Sequence, residues 1–471
     1  MKEIADYQLN VTEFSKRDIP KVWKPYDVSE LKDILQLANK NKTAVHPIST
    51  GHNWGLGSKL PVTDCEIVDL SNINEILEVN EDLCYARIQP GVTQKQLSDY
   101  LKCNHPRLML NVTGSDAHSS ILGNTIERGS GKNGQRASDL RELKILLANG
   151  EEISSGFGEN TDESFYKYGI GPDITHLFTQ SNFGIVTQGV IDLMIKQPYS
   201  LFLVGIEHAR LRDFISQFSL LVRKNVVGNS LELDSQNDPK IFELFEGNEN
   251  IKNDEWTGWF VIYGESEIRE AKKKYLIQSI DASTSNIKIF DSELDNEGCP
   301  IPVQVRLERY SGIPSDHSLL ATAKAFGIEL NNKNLDIDFH KEMPGFRCVL
   351  PVLPFSSSAV DIIDFINKFS SKKSYQPAIS IIGLNPYALE VFVRVFLNRS
   401  DQEEIDKAAE WSYSLLLALK EKNVFPYRLD IESMEPYLNE IGGTSQVWKS
   451  RIKNLFDPNQ VISPKRYQII I

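Results

Sequence analysis

Apolar residues at 31, 34, 35 and 38 recur at the three- and four-residue spacing of an α-helix, so residues 29–40 are expected to be amphipathic, with Ser29 as N-cap. Beyond it the pattern shortens to runs typical of strands. Residues 44–48, 66–70, 85–88 and 143–148 read as strands, 94–102 as a second amphipathic helix and Asn149-Gly150 as a turn. The alternation resumes across 201–425, with strands at 259–263 and 388–396 and a helix at 403–421. Such mixing predicts α/β or α+β layers. Within that region the polar, acidic stretch 229–256 reads as a solvated surface excursion. From Pro426 the composition shifts, and 426–471 is expected to dock away from the segment before it.

Composition narrows the classes of function. With 471 residues, 41% hydrophobic and 24% charged, the chain has ample material for a buried core and none of the bias of a disordered protein. Its 64 acidic against 51 basic residues give a net charge of −13, which disfavours nucleic acid as a partner. Cys65, Cys84, Cys103, Cys299 and Cys348 are scattered without a CxxC pair, so no metal site and no disulfide framework is expected. The start, Met1-Lys2-Glu3-Ile4-Ala5-Asp6, lacks the apolar core of a signal peptide, and no stretch approaches the ~20 apolar residues of a membrane span. A cytoplasmic protein without a membrane partner is the expectation.

Four segments could carry chemistry. The loop Ser49-Thr50-Gly51-His52-Asn53-Trp54-Gly55-Leu56-Gly57 is rich in small residues that expose backbone N–H groups, which suits a phosphate, although its spacing fits neither a dinucleotide fingerprint nor a Walker loop. Residues 113–131 gather small and hydroxylated side chains around Asp116, His118, Glu127 and Arg128. Residues 178–187 run from aromatic and polar positions into a β-branched strand at Gly184. Phe425-Pro426-Tyr427-Arg428 stands with 457–465 toward the C-terminus.

Taken together and in this order, the segments resemble the vanillyl-alcohol oxidase and p-cresol methylhydroxylase (PCMH) family of FAD-dependent oxidoreductases. The resemblance spans about 20–200 and 425–466 and includes Gln89-Pro90-Gly91-Val92-Thr93, Leu122-Gly123-Asn124, Glu127-Arg128-Gly129 and 178–187. It implies an α+β, two-domain PCMH-type fold: an FAD-binding domain of two subdomains, formed by 1–200 and completed by 426–471, with an α/β cap domain inserted over 201–425. It also implies which residues hold FAD. These are Pro47, Ser49, Thr50, Gly51, His52 and Asn53 at the pyrophosphate loop, Ser115, Gly123, Asn124 and Thr125 in the second segment, Gly184, Ile185 and Val186 in the third, and Lys465 near the C-terminus.

By the same resemblance Asp116 is the acid beside flavin N5, a general base or charge partner, and Tyr427 with Arg428 holds a substrate oxyanion. Glu127 has two readings, a pairing partner for a nearby base or a catalytic acid. His52 resembles the flavin-linked histidine of berberine-bridge-type oxidases and so is the expected covalent anchor. The tyrosine that completes a phenolate site aligns with Leu56, which leaves alcohols, amines and other substrates open beside phenols. The expected activity is hydride transfer from a small organic substrate to flavin, with O2 or another electron acceptor as reoxidant. An aldonolactone or sugar oxidase, and a flavin-binding protein without redox turnover, are the alternatives. Many members of the family are dimers, so a homodimer is expected, although the sequence names no interface.

Overall fold

The computed structural model of the chain describes residues 4–469 apart from 53, 55, 57–58, 242–243, 245–255, 295, 297 and 329–342. Helix Val28–Asn41 buries Leu31, Ile34, Leu35 and Ala38, the stripe its periodicity predicts. Its N-cap is Asp27 and not Ser29: the Asp27 carboxylate accepts the Glu30 N–H at 2.8 Å, so the orphan donors of the first turn are served two residues upstream. The stripe packs on a small parallel sheet ordered Val22–Trp23, Glu66–Asp69, Val45–Ile48.

The free edge of that sheet is covered from far along the chain. Val45 N–H donates to Val461 O at 2.8 Å, and Ser463 N–H donates back to Val45 O at 2.8 Å. Residues 461–463 thereby extend the sheet, as the change of composition after Pro426 suggests. A second, antiparallel sheet is ordered Glu152–Ser154, Leu140–Leu146, Ile185–Asp192, Tyr85–Ile88, Ile76–Asn80. Helix Gln94–Asn104, capped by Thr93, packs Leu97 and Leu101 into its core.

The third sheet has eight antiparallel strands. It runs from Asn286–Asp291 through Tyr199–Ile206, Trp256–Tyr263, Glu232–Ser235, Ala378–Asn385 and Ala388–Leu397 to Gly345–Val349, with Val352–Pro354 beside Ala388–Leu397. Side chains alternate between its faces. On one face Leu233, Ile381, Val391 and Val393 meet helices His208–Arg223, Ala359–Lys372 and Gln402–Lys420 in the largest apolar cluster. On the other face stand Glu232, Asp234, Ser380, Glu390 and Arg394, and all five are buried. The expectation of a solvated excursion over 229–256 is therefore corrected for the part described: Glu232–Ser235 is a central strand, and its acids are inside because cations meet them there.

Candidate active site

Two cavities share one wall. The first, a cleft, lies between the parallel sheet and the antiparallel one. Strand Val45–Ile48 delivers the loop 47–52 to its rim, where Gly51 turns through a left-handed φ of 72°. Opposite sit Gly123 and Asn124 at the start of helix Ile121–Ile126, and Gly184, Ile185 and Val186 at the start of their strand. A Cβ on Gly123 would stand 2.4 Å from Ser49 Oγ, so any larger residue requires the Ser49 side chain to move. Ile462, Ser463 and Arg466 close the remaining side, and His46 Nδ1 is 2.9 Å from Ser463 Oγ.

Most positions expected to hold FAD line this cleft, namely 47, 49–52, 123, 124 and 184–186. Three do not. Ser115 Oγ bonds Ser119 Oγ at 2.6 Å, Thr125 Oγ1 donates to Ile121 O at 2.9 Å, and Lys465 Nζ turns out to Glu435 at 3.0 Å. Each side chain is satisfied within its own neighbourhood, and Arg466 takes the wall position expected of Lys465. Asn53 lies outside the described residues. The cleft also holds buried polar atoms with no hydrogen-bond partner among the described residues: Asn124 Oδ1, Glu127 Oε2 and Arg466 Nη1. Acceptors and a donor left bare in a closely packed cleft fit a polar, planar ligand such as a flavin dinucleotide.

Asp116 stands one contact back from the cleft: its Oδ2 lies 3.0 Å from His52 Nδ1, and its Oδ1 accepts the His118 N–H at 2.9 Å. A carboxylate so placed orients the His52 ring, which lines the cleft. Glu127 is likewise held by neighbours: Oε1 bridges to Arg466 at 2.7 Å, and its backbone oxygen accepts from Arg428 Nη2 at 2.6 Å. The pairing reading of Glu127 is the one its geometry favours.

The second cavity, about 840 Å³, meets the first at Asn124, which lines both. Tyr427 and Arg428 form one side, and Trp54, Leu56, Phe346 and Phe392 form an apolar stretch of wall. Burial, reinforced by Glu390, pushes the Tyr427 phenol well above its usual range, so it stays protonated and can donate. Arg428 remains charged, and its Nε has no hydrogen-bond partner. Behind Tyr427, Glu390 is fully buried; burial pushes its carboxyl up to about 7 against the pull of the Tyr427 hydroxyl and Arg428.

The remaining wall comes from the polar face of the eight-stranded sheet, which the sequence did not single out. Glu232 is bound by Lys132 at 2.5 Å, Lys240 at 3.3 Å and Arg306 at 3.3 Å; Asp234 is bound by Lys240 at 3.1 Å and Arg306 at 2.7 Å. Arg394 pairs with Asp238 and, like Lys132, Lys240 and Arg309, lines the cavity. Burial opposes ionisation of Glu232, but Lys132, Arg306 and Lys240 overcome it and hold the carboxyl well below its usual value. Lys132 is pushed down to about 8 by burial, with Arg309, Arg306 and Lys240 adding to the shift against Glu232. Alternation along 230–235 and 388–396 is the one signal that could have placed these charges on a shared inner face.

Known proteins with similar sequences and structures fit this arrangement. Residues 20–156 match the FAD binding domain family. The chain is 27% identical to 1'-carboxy-chondrochloren decarboxylase of Chondromyces crocatus over 95% of its own length and 90% of that protein's. It is 33% identical to the 4-cresol dehydrogenase [hydroxylating] flavoprotein subunit of Pseudomonas putida, over 44% of this chain and 42% of the relative. The crystal structure of p-cresol methylhydroxylase with substrate bound superposes with a TM-score of 0.86 at 21% identity, covering 99% of this chain and 92% of that one. Among the described residues no helix is long and apolar enough to cross a membrane. A matched FAD binding domain over residues 20–156, a flavoprotein relative over part of the chain and the p-cresol methylhydroxylase fold over the whole of it support a PCMH-type FAD-dependent oxidoreductase.

Proposed function

We propose that the protein oxidises a small organic substrate in the second cavity, at the end that opens past Asn124 onto the cofactor cleft. Residues 1–200 with 426–471 make the cofactor half of this enzyme and 201–425 the cap. Bound FAD supplies the acceptor for the hydride lost from a substrate carbon. The chain's own residues bind, orient and handle the proton. Tyr427 Oη–H and Arg428 donate to a substrate oxygen, and preorganised donors of this kind act most strongly as negative charge develops on that oxygen. Glu390 stands behind Tyr427 to receive the proton that the substrate oxygen releases, relayed through the Tyr427 hydroxyl. A carboxyl at about 7 gives and takes protons near neutrality. Leu56 stands in the wall of the cavity, so Tyr427 is not matched there by a second phenol.

The observation that carries this reading is the junction itself: an Arg428 Nε without a hydrogen-bond partner among the described residues, in a cavity that shares Asn124 as wall with the cofactor cleft. Anaerobic bleaching of the flavin by a panel of phenols, alcohols, amines and lactones tests it. Bleaching by one class names that class, and a flavin that no member of the panel reduces removes the redox assignment. Repeating the reaction in air and with an artificial dye separates O2 from other acceptors.

His52 is proposed as the covalent flavin anchor. It lies in the cleft wall, and Asp116 occupies Nδ1, which leaves Nε2 as the nitrogen open to a bond. Flavin that remains with the acid-precipitated protein, and is released in the His52→Ala variant, supports the linkage; complete release from the wild-type protein excludes it.

A further inference from the structure

The second cavity holds more positive charge than its carboxylates balance. Lys132, Lys240, Arg306, Arg309 and Arg394 meet three acids, Glu232, Asp234 and Asp238. A fourth acid, Asp316, lies beyond Arg309 and already accepts the Ala117 N–H at 2.8 Å. Across the cavity Arg428 adds another cation. The nearest acids there are Glu127, whose carboxylate is engaged by Arg466, and Glu390, which is only partly ionised at neutral pH. Among the described residues an excess of one or two positive charges therefore remains.

Uncompensated charge in a buried wall is strongly unfavourable. Two guanidinium groups also face this problem at the level of single atoms. Arg394 and Arg428 are 7% and 5% exposed, both line the cavity, and the Nε–H of each lacks an acceptor among the described residues. A neutral alcohol or phenol would satisfy a donor and leave the charge excess untouched. The apolar wall of Trp54, Leu56, Phe346 and Phe392 calls for a carbon skeleton as the body of the ligand.

Resting on the reading above only for the position of the substrate, we propose that the cavity takes organic acids, with a single carboxylate held between Arg394 of the cap and Lys132 of the cofactor half and an apolar or aromatic body along the wall of Trp54, Leu56, Phe346 and Phe392. Charge-assisted hydrogen bonds to a carboxylate are the strongest the wall can make. Uncharged amides of the same acids are expected to bind about tenfold or more weakly.

The test uses the wild-type holoenzyme and paired probes: 4-hydroxyphenylacetate, 4-hydroxycinnamate, phenylpropionate and octanoate, each beside its amide, titrated anaerobically. Perturbation of the visible flavin spectrum reports binding, and bleaching is read separately. At least one acid binding tenfold tighter than its amide supports the site; no acid doing so overturns it. Preference for acids without any bleaching keeps the carboxylate site and removes the oxidoreductase reading of the cavity. Bleaching by acids and amides with equal affinity does the opposite. Lys132→Gln, checked for retained flavin and melting temperature, is expected to weaken binding of the preferred acid while leaving its amide unchanged. A loss shared by both forms counts against a direct contact, and the wild-type comparison decides the proposal if the variant does not fold.

Discussion

The two cavities of this enzyme meet at Asn124 and are built on opposite principles. The cofactor cleft is made of backbone turns, glycines and small hydroxylated residues, drawn from short segments that lie close to a strand or helix end. The cap-side cavity is made largely of long charged side chains that converge from sheet, helix and loop and pair inside the protein, with positive charge left over. A cleft of the first kind tolerates an acidic chain because amides and shape do the holding. A wall of the second kind is held at the limit of what burial allows, and its ligand must complete the charge pattern.

That contrast can be broken at several points. The largest effect is expected from Glu232→Ala, which takes from buried Lys132 its carboxylate partner, leaves Lys240 and Arg306 to Asp234, and should destabilise the protein by about 3–5 kcal/mol. A thermal melt that overlays the wild type would refute the view that these charges depend on one another. Arg428→Ala should slow anaerobic flavin reduction by roughly 10²–10³-fold with flavin content unchanged, because one preorganised donor is lost. Arg428→Lys should recover little, since an ammonium cannot reproduce the planar fork. Stopped-flow reduction of both variants checks this.

Glu390 links chemistry to pH. Its folded value of about 7 lies above the ordinary carboxyl value of 4.5, so the folded protein holds a proton that the unfolded chain has lost. Stability attributable to this group is full below pH 4.5 and declines as the pH rises to about 7, by roughly 3 kcal/mol. Glu390→Gln should remove that slope: unchanged melting at pH 4, higher melting at pH 8, and loss of an ionisation near pH 7 from the flavin-reduction profile. The smallest effect is expected in the cleft. Gly123→Ala places a methyl against Ser49 Oγ, whose side chain can rotate, and should weaken flavin retention by about fivefold, or ~1 kcal/mol, in a fluorescence release assay.

The same contrast explains what was legible in the sequence. Small residues near strand and helix ends are local features, and the family resemblance they carry implies that 49–52, 123–124 and 184–186 lie along one cofactor; they line one cleft. Helices and strands with clear periodicity were equally visible, to within a few residues at their ends. The side chains of Ser115, Thr125, Lys465 and Asp116 are engaged by neighbours, which spacing does not reveal for a hydroxyl, an ammonium or a carboxylate. The buried charges were hidden for another reason. Glu232 and Lys132 are 100 positions apart, and an acidic stretch looks solvated until its partners are brought against it by tertiary structure. Only the alternation of Leu231, Leu233 with Glu232, Asp234 hints that one face is buried against helices and the other turned to a second core.

The bond between His46 and Ser463 spans 417 positions, and the Val45 pairing with 461–463 spans nearly as many. The cofactor cleft therefore has no fourth wall during synthesis until the whole cap has left the ribosome. Closing so long a loop is a late event unless the cap folds first and brings its two ends together. Cap folding thus sets the timetable for flavin capture. A lesion anywhere in the cap that delays its folding should appear as apoprotein, with pale preparations produced by substitutions that touch neither cavity.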